Sequence, residues 1–517
     1  MQRSVVFSVL LRKDEYKVSN WRSFLESNAQ IIGVCPCELE KAAIYADSIN
    51  TAGDSVFFMA KDASGKVLVI VGEGSAFNDF KGTVEKVGDK TVKVCALTHT
   101  NAVALRKHFP YTAPKCLRDS KITIGLGDRL GLATPGHLKL IKNYPVSPVL
   151  CQQSIRELNL TGRTYPAVLD DVSWGVFQEG YKEGFGADGD HLKTVDDIKM
   201  ALDTGFTMIT LDCSEHIDNS IASKSDAEVD AIYQAVDATV RKAFEEKYLA
   251  PISFDGVSIH ISANELKRIV LIYSKAVNFA EKIFKDLLSK NDNVVFELSI
   301  DETLTPTAPE AHYFVAAELK DRGVRVDNLA PRFVGEFQKG IDYVGNIDQF
   351  TKEFAEHCRI ADHFGYKISV HSGSDKFSVF PIVGEETHGR YHLKTAGTNW
   401  LEAVRVIAQK NPQLYRRMHK FALENIDEAK KYYHISSEAS RIPDIDKMSD
   451  AELPSLMDQN DARQYLHITY GLILNAGAGE EFKKELYETL NKYEEDYYAA
   501  LIHHIGRHLD TLKVEKK

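Results

Sequence analysis

The sequence predicts a (β/α)8 barrel of the TIM type, preceded by a mixed α/β region, interrupted by one long insertion and followed by C-terminal helices. Three observations predict it. From Ile122 onward, short apolar runs alternate with helical patterns, the signature of parallel βα units. The runs number eight, at residues 122–126, 184–187, 207–211, 294–298, 324–328, 368–370, 391–393 and 432–435. Nearly all end in ionisable residues, and strand ends are where barrel enzymes place the groups that do chemistry.

The elements follow in order. Residues 1–120 read as the mixed region, with strands at 66–71 and 91–97. The barrel occupies 121–460, and 461–517 reads as helices. Thr164 and Pro166 start a helix whose body is 167–181, with Val168, Val172 and Phe177 on one stripe. Thr194 caps the helix after the second strand, and Gly205 returns the chain to the third. After that strand the insertion covers 213–290. Its main element is a helix opened by Asn264, with Ile269, Ile272, Ala276, Phe279, Ile283 and Leu287 at helical spacing. Segments 310–321 and 347–364 serve the next two units as helices.

Composition narrows the function. The chain has 517 residues, 44% hydrophobic and 26% charged, ordinary for a globular protein with a large core. A formal net charge of -11 argues against a nucleic-acid groove, which needs clustered Lys and Arg. No apolar run approaches the roughly 18 residues that span a bilayer, and the N-terminus turns charged before a signal-peptide core develops. A cytoplasmic protein with a small-molecule partner is expected. The seven cysteines include one close pair, Cys35 and Cys37, without a second pair at zinc-finger spacing, so reduced thiols are expected. Oligomeric state is not legible.

The strand ends carry the chemistry. They read GLGDRLGLATPGH (125–137), GADGDHLKT (186–194), LDCSEH (211–216), ELSIDET (297–303), HSGSDK (371–376), HLKTAGT (392–398) and HISSE (434–438). Histidines and carboxylates from separate strands, converging on one axis, make a three-ligand metal centre with open positions for substrate. His191, Glu297 and His371 are the expected ligands, with Asp188 and Asp212 competing. Zinc, manganese and nickel all suit such donors. Substrate contacts are expected from Asp128, Arg129, Ser372, Ser374, Asp375, His392, Lys394 and Thr395, since Arg grips carboxylates in a bidentate fork and Lys holds anionic groups. GLGDRLG lacks the dinucleotide fingerprint, so no nicotinamide is expected.

Four of these stretches, GLGDRLGLATPGH, EGYKEGFGADGDHLKT (179–194), TLDCSEHID (210–218) and HSGSDKFSVFPIVG (371–384), resemble the tagaturonate epimerases of bacterial hexuronate catabolism. The resemblance runs through most of the chain after residue 120. It implies a divalent-metal-dependent enzyme that interconverts D-tagaturonate and D-fructuronate, keto sugar acids that differ at a carbon two bonds from the ketone. Hydrogen on that carbon is not acidified by an adjacent carbonyl, so a retro-aldol cleavage and re-addition is the expected route. In that scheme Asp188 or Asp212 is the general acid/base, Lys376 or Lys394 steadies oxyanions, and Arg129 holds the substrate carboxylate. A metal-dependent barrel aldolase or sugar isomerase would use nearly the same ring, and a non-catalytic sugar-acid binder would need no metal.

Overall fold

Polar residues at every second position, with apolar ones between them, build a closed barrel whose interior is charged. The structure, a computed structural model, describes residues 21–28, 30–62, 65–475 and 477–517. Eight strands close the barrel: β1 (Ile122–Leu126), β2 (Ser147–Ser154), β3 (Gly186–Leu192), β4 (Met208–Asp212), β5 (Val295–Ile300), β6 (Asn328–Pro331), β7 (Lys367–Val370) and β8 (Tyr391–Thr395). Each pairs in parallel with its sequence neighbours, and Tyr391 of β8 opposite Ile122 of β1 closes the ring.

Alternate residues set the two faces. Ile124, Leu150, Ala187, Ile209, Leu211, Phe296, Leu298, Ile368, Val370 and Leu393 pack outward into one core with the surrounding helices. The intervening positions, among them Thr123, Asp188, Thr210, Glu297, Asn328, Lys367, His392 and Lys394, meet one another inside. A barrel interior is usually filled by branched aliphatic side chains. This one keeps an apolar plug of Leu117, Val149, Met208 and Val295 at one end and is otherwise filled by ionised and hydrogen-bonded side chains.

Three expectations about the strands, and with them the place of the insertion, are corrected. Residues 432–435 form turn and loop rather than a strand, and Ser147–Ser154 is a strand that the apolar pattern does not reveal. Its second half, Cys151–Gln152–Gln153–Ser154, is polar because it borders the mouth. The insertion therefore follows the fourth barrel strand, not the third. The strand expected at 324–328 starts at Asn328, because Gly323 (φ 72) and Val324, bonded back to Leu319, still end the preceding helix.

The insertion contains helices Asp226–Gln234 and Ala238–Tyr248, a two-stranded ribbon and the long helix Ala263–Ile283. Ser262 opens that helix in a capping box with Glu265, two residues before the expected Asn264. After β8, the helices Gly397–Lys410, Pro412–Glu424, Asn460–Ile468, Tyr470–Asn475, Gly477–Lys492 and Glu494–Thr511 carry a second apolar cluster, centred on Trp400, Leu401, Tyr415, Met418, Leu466 and Ile473. Contacts divide the chain into two units, one running to His108 with Phe177–Gly180 and the other holding the barrel and these helices. The first unit contains a five-stranded antiparallel sheet that includes Gly65–Val71 and Lys90–Cys95, close to the expected strands, over a core of Trp21, Phe58 and Val69. Among the described residues no helix is long and apolar enough to cross a membrane.

A buried histidine pair sits among the barrel helices. His312 Nδ1 lies 2.9 Å from His357 Nδ1, and His312 Nε2 lies 2.7 Å from the Tyr366 hydroxyl. Burial, reinforced by His357, holds His312 well below the usual histidine range, and burial pushes His357 down to about 3. The unfolded chain protonates both near pH 6.5 while the folded chain does not, so stability falls as pH drops through that value toward 3. Each histidine is expected to cost about 1 kcal/mol per pH unit in that window. Urea midpoints between pH 7 and 4 should show this slope, and His357→Gln should flatten it.

Candidate active site

The side chains inside the barrel stack in three layers, and their chemistry changes from floor to mouth. At the floor, His392 Nδ1 lies 2.9 Å from the Thr123 hydroxyl, and Lys367 Nζ reaches that hydroxyl at 3.2 Å. Burial pushes His392 down to about 3 and Lys367 down to about 8.

The middle layer centres on Lys394. Its ammonium sits 2.9 Å from Asp188, 2.6 Å from Asp190, 2.8 Å from Glu297 and 2.6 Å from the Thr210 hydroxyl. Burial opposes the charge on Lys394, yet three carboxylates outweigh it and hold the lysine well above its ordinary range. Burial, again the largest influence, raises Asp188 to about 6 despite the lysine, whereas Lys394 and two histidines keep Asp190 well below the carboxylate range. One cation thus joins strands β3, β5 and β8.

The upper layer forms the mouth. His371 follows β7; its Nε2 lies 2.8 Å from Glu297 and its Nδ1 3.2 Å from Asp301. The His191 ring lies 4.9 Å from the His371 ring, and His191 Nδ1 lies 3.4 Å from Asp212. Strict alternation would turn His191 outward, away from Asp188 and Asp190. A register shift between Gly189 and Leu192, with His191 at φ 51, brings it back inward. Against the penalty of burial, Asp190 and Asp212 push His191 up to about 10.

His191, Asp301 and His371 offer donor atoms within 4.8 Å of one another, and His191, Asp212 and Glu302 do the same. Of the three expected ligands, the structure brings His191 and His371 together. Glu297 lies one layer below, its oxygens engaged by Lys394, His371, Thr210 and Asn328. There it fixes the ring of His371 and leaves Nδ1 facing Asp301, the relation a carboxylate has to a metal-binding histidine it orients.

A cavity of about 300 Å³ opens above this layer. Asp190, His191, Asp301, Glu302, His371 and Lys394 line one part of it, and Arg129, Arg156, Lys339, Tyr433 and His467 another. Ser372 and Ser374 also line it, and the Ser372 hydroxyl accepts from Lys339 at 2.8 Å. His434 reaches it from the loop mistaken for a strand.

Several expected site residues have other partners. The Asp128 carboxylate accepts from the backbone N–H groups of Leu130, Gly131 and Ala133, so it folds the turn that presents Arg129. Lys376 donates to the carbonyls of Gln338, Ile341 and Ser374, which uses all three ammonium hydrogens and leaves none for an oxyanion. It braces the cavity loop that carries Lys339. Asp375 pairs with Arg463, and its backbone N–H donates to His508. The Thr395 hydroxyl donates to the Gly125 carbonyl, and His392 lies on the floor.

Sequence reading missed Asp190, Asp301, Glu302, Arg156, Lys339 and His467. Two were within reach of the pattern: counting by twos from Asp188 gives Asp190, and from Glu297 through Ser299 gives Asp301. Glu302, Arg156, Lys339 and His467, in loops and helices, carry no such signal.

Fold and mouth together define a barrel enzyme that works on a small, polar, ionisable substrate. The model of the tagaturonate epimerase family matches residues 45–512. A tagaturonate/fructuronate epimerase of Thermotoga maritima is 40% identical over 474 residues, 91% of this chain and 97% of that protein. The glycerol-complexed crystal structure of fructuronate-tagaturonate epimerase UxaE from Cohnella laeviribosi superposes with a TM-score of 0.90 at 49% identity, over 96% of this chain and 99% of that one. Its native form gives 0.89 at 51% identity, over 91% and 96%. The chain belongs to the tagaturonate epimerase family and is an isomerase.

Lys394→Met should leave three buried carboxylates facing one another, with a loss of about 3–5 kcal/mol. Urea unfolding at pH 8 and pH 5 checks this, with the deficit smaller at the lower pH, where the stranded carboxylates take up protons.

Proposed function

We propose that the protein interconverts D-tagaturonate and D-fructuronate by retro-aldol cleavage and re-addition, with a divalent cation held by His191, Asp301 and His371. The observation that carries this reading is the concentration of charge at the mouth. Six carboxylates, Asp188, Asp190, Asp212, Glu297, Asp301 and Glu302, share the strand ends with two lysines, Lys394 and Lys193, and two histidines. Even with both histidines protonated, negative charge is in excess.

The residues fit a cation on two further counts. His191 Nδ1 and Asp212 Oδ2 are buried without a hydrogen-bond partner, and His371 has one nitrogen tethered to Glu297 while the other faces Asp301. Nitrogen and carboxylate donors suit zinc, manganese or nickel. A bound cation would supply electrophilic stabilisation to the charge that develops on the ketone oxygen.

The chain's own groups handle the proton. A base takes it from the hydroxyl on the inverting carbon, the bond toward the ketone breaks, and its electron pair passes into the ketone to give an enediolate and an aldehyde. The aldehyde presents its other face, the bond re-forms, and the proton returns. We assign the base to Glu302, which lines the cavity and lies beside His191, in preference to Asp188, which is locked beneath Lys394 and does not reach the cavity. Asp212 acts through His191.

Incubation with either keto acid should produce the other without net release of fragments, and chelation should abolish turnover that added cation restores. Absence of epimer after cation addition would sink the reading. Asp301→Asn and His371→Ala should lower metal content in parallel with activity. Glu302→Gln should retain the metal and lose on the order of 10²–10⁴ in kcat.

A further inference from the structure

Three buried donor groups in the cavity have hydrogens with nowhere to go. Arg129 spends Nε and Nη2 on a single oxygen of Glu157, at 3.0 and 2.8 Å, while its Nη1 is buried without a partner. Arg156 Nε is likewise buried and unpartnered. His467 is 1% exposed, and neither ring nitrogen has a hydrogen-bond partner, although one of them must carry a hydrogen. All three residues line the cavity. Unsatisfied buried donors are costly and call for a ligand or water.

Their placement is built rather than incidental. Arg129 stacks on Tyr470 at 3.6 Å, Arg156 lies over Tyr433 at 5.0 Å, and the two tyrosine hydroxyls are 3.5 Å apart, so one aromatic pair carries both guanidiniums. Lys339 joins them, oriented by the Ser372 hydroxyl. The helix Gly397–Lys410 begins at the same wall. A Cβ on Gly397 would fall 2.0 Å from His467 Nε2 and 3.2 Å from Arg129 Nη2, so glycine there admits both side chains to the helix start. The charges at this end are three cations against Glu157 and Glu302, and the positive end of the helix dipole adds to the cations.

We infer that Arg129, Arg156, Lys339 and His467 form a carboxylate-binding subsite that anchors the acid end of the substrate and selects sugar acids over neutral sugars of the same skeleton. The inference rests on the epimerase reading above and extends the expected role of Arg129 to three residues with no previous assignment. The carboxylate takes its hydrogen bonds from Arg129 Nη1, Arg156 Nε and Lys339, and His467 donates to an oxygen beside it. A neutral hydroxymethyl group in that place leaves the donors unpaired, which is what discriminates against it.

Steady-state kinetics on the keto acid and on the matching neutral ketohexose test this in the metal-loaded enzyme, with Arg156→Met, Lys339→Met and Lys339→Arg. The Met variants should raise KM for the acid on the order of 10- to 100-fold with a much smaller change in kcat, as loss of a charge-assisted hydrogen bond implies. Kinetics on the neutral sugar, read as substrate or as competitive inhibitor, should stay within about twofold, and Lys339→Arg should restore most of the acid's affinity. An unchanged KM for the acid, or an equal loss on both sugars in variants that melt like the parent, overturns the subsite. If Arg156→Met does not fold, Lys339→Met decides alone. A parent enzyme that fails to interconvert the keto acids would instead defeat the proposed function.

Discussion

One ammonium group inside the barrel sets the conditions for everything above it. Lys394 meets Asp188 and Asp190 from β3 and Glu297 from β5, so three strands that are far apart in sequence are drawn to one point. A lone charge in such a place would cost many kcal/mol, and the network is tolerable only because each member has partners. With three carboxylates around one ammonium, it is also two cations short of neutrality. The deficit passes upward: Glu297 takes a hydrogen bond from His371, and the histidine in turn faces Asp301. The mouth inherits from the middle layer both its histidine orientation and its negative charge, and the proposed cation would offset the remainder. Metal uptake would then release protons from His191 and His371, coupling occupancy to pH.

The same polar interior explains what the sequence reveals and what it hides. Strand β5 alternates so strictly that Phe296, Leu298 and Ile300 read as an apolar outward face, while the other face carries Glu297 and Ser299 and leads on to Asp301. Strand β2 does not, because Gln152, Gln153 and Ser154 break the apolar run that marks a strand. Tyr432 to Ile435 offers β-forming side chains without ladder partners, and the expected count of eight came out right because one false strand replaced one missed strand. Strand ends could be ranked by ionisable content, which is why His191, His371 and Lys394, now seen inside the barrel mouth, stand among the expected site residues. The bulge that turns His191 inward leaves no mark that one sequence can show, since its cause is the pairing of β3 with β4.

Side-chain roles were harder to read than positions. Asp128, Lys376 and Asp375 are polar residues in the right neighbourhood whose hydrogen bonds close on the backbone or, for Asp375, on Arg463. A sequence gives the type of a donor, not whether it is already spent. Arg156, Lys339 and His467 are the converse: Arg156 lies two residues past the unrecognised strand β2, Lys339 in a turn and His467 in a helix after the barrel, and Arg156 and His467 keep unpartnered donors at the cavity.

The two ends of the cavity answer different demands of one reaction. In the proposed route, cleavage of the keto acid would divide the skeleton into an enediolate, whose charge would belong at the His191–Asp301–His371 end, and a three-carbon aldehyde that carries the carboxylate. Inversion requires only that this aldehyde turn about the bond next to its carbonyl carbon. Held by its acid group at Arg129, Arg156 and Lys339, the fragment can make that turn without leaving, because the anchored atoms are not the ones that rotate. A barrel with the acidic end alone would stabilise cleavage equally well and would have nothing to retain the second piece. On this reading the difference between an aldolase and an epimerase is not in the group that breaks the bond. It lies in the charge that keeps both halves in place long enough to re-form it.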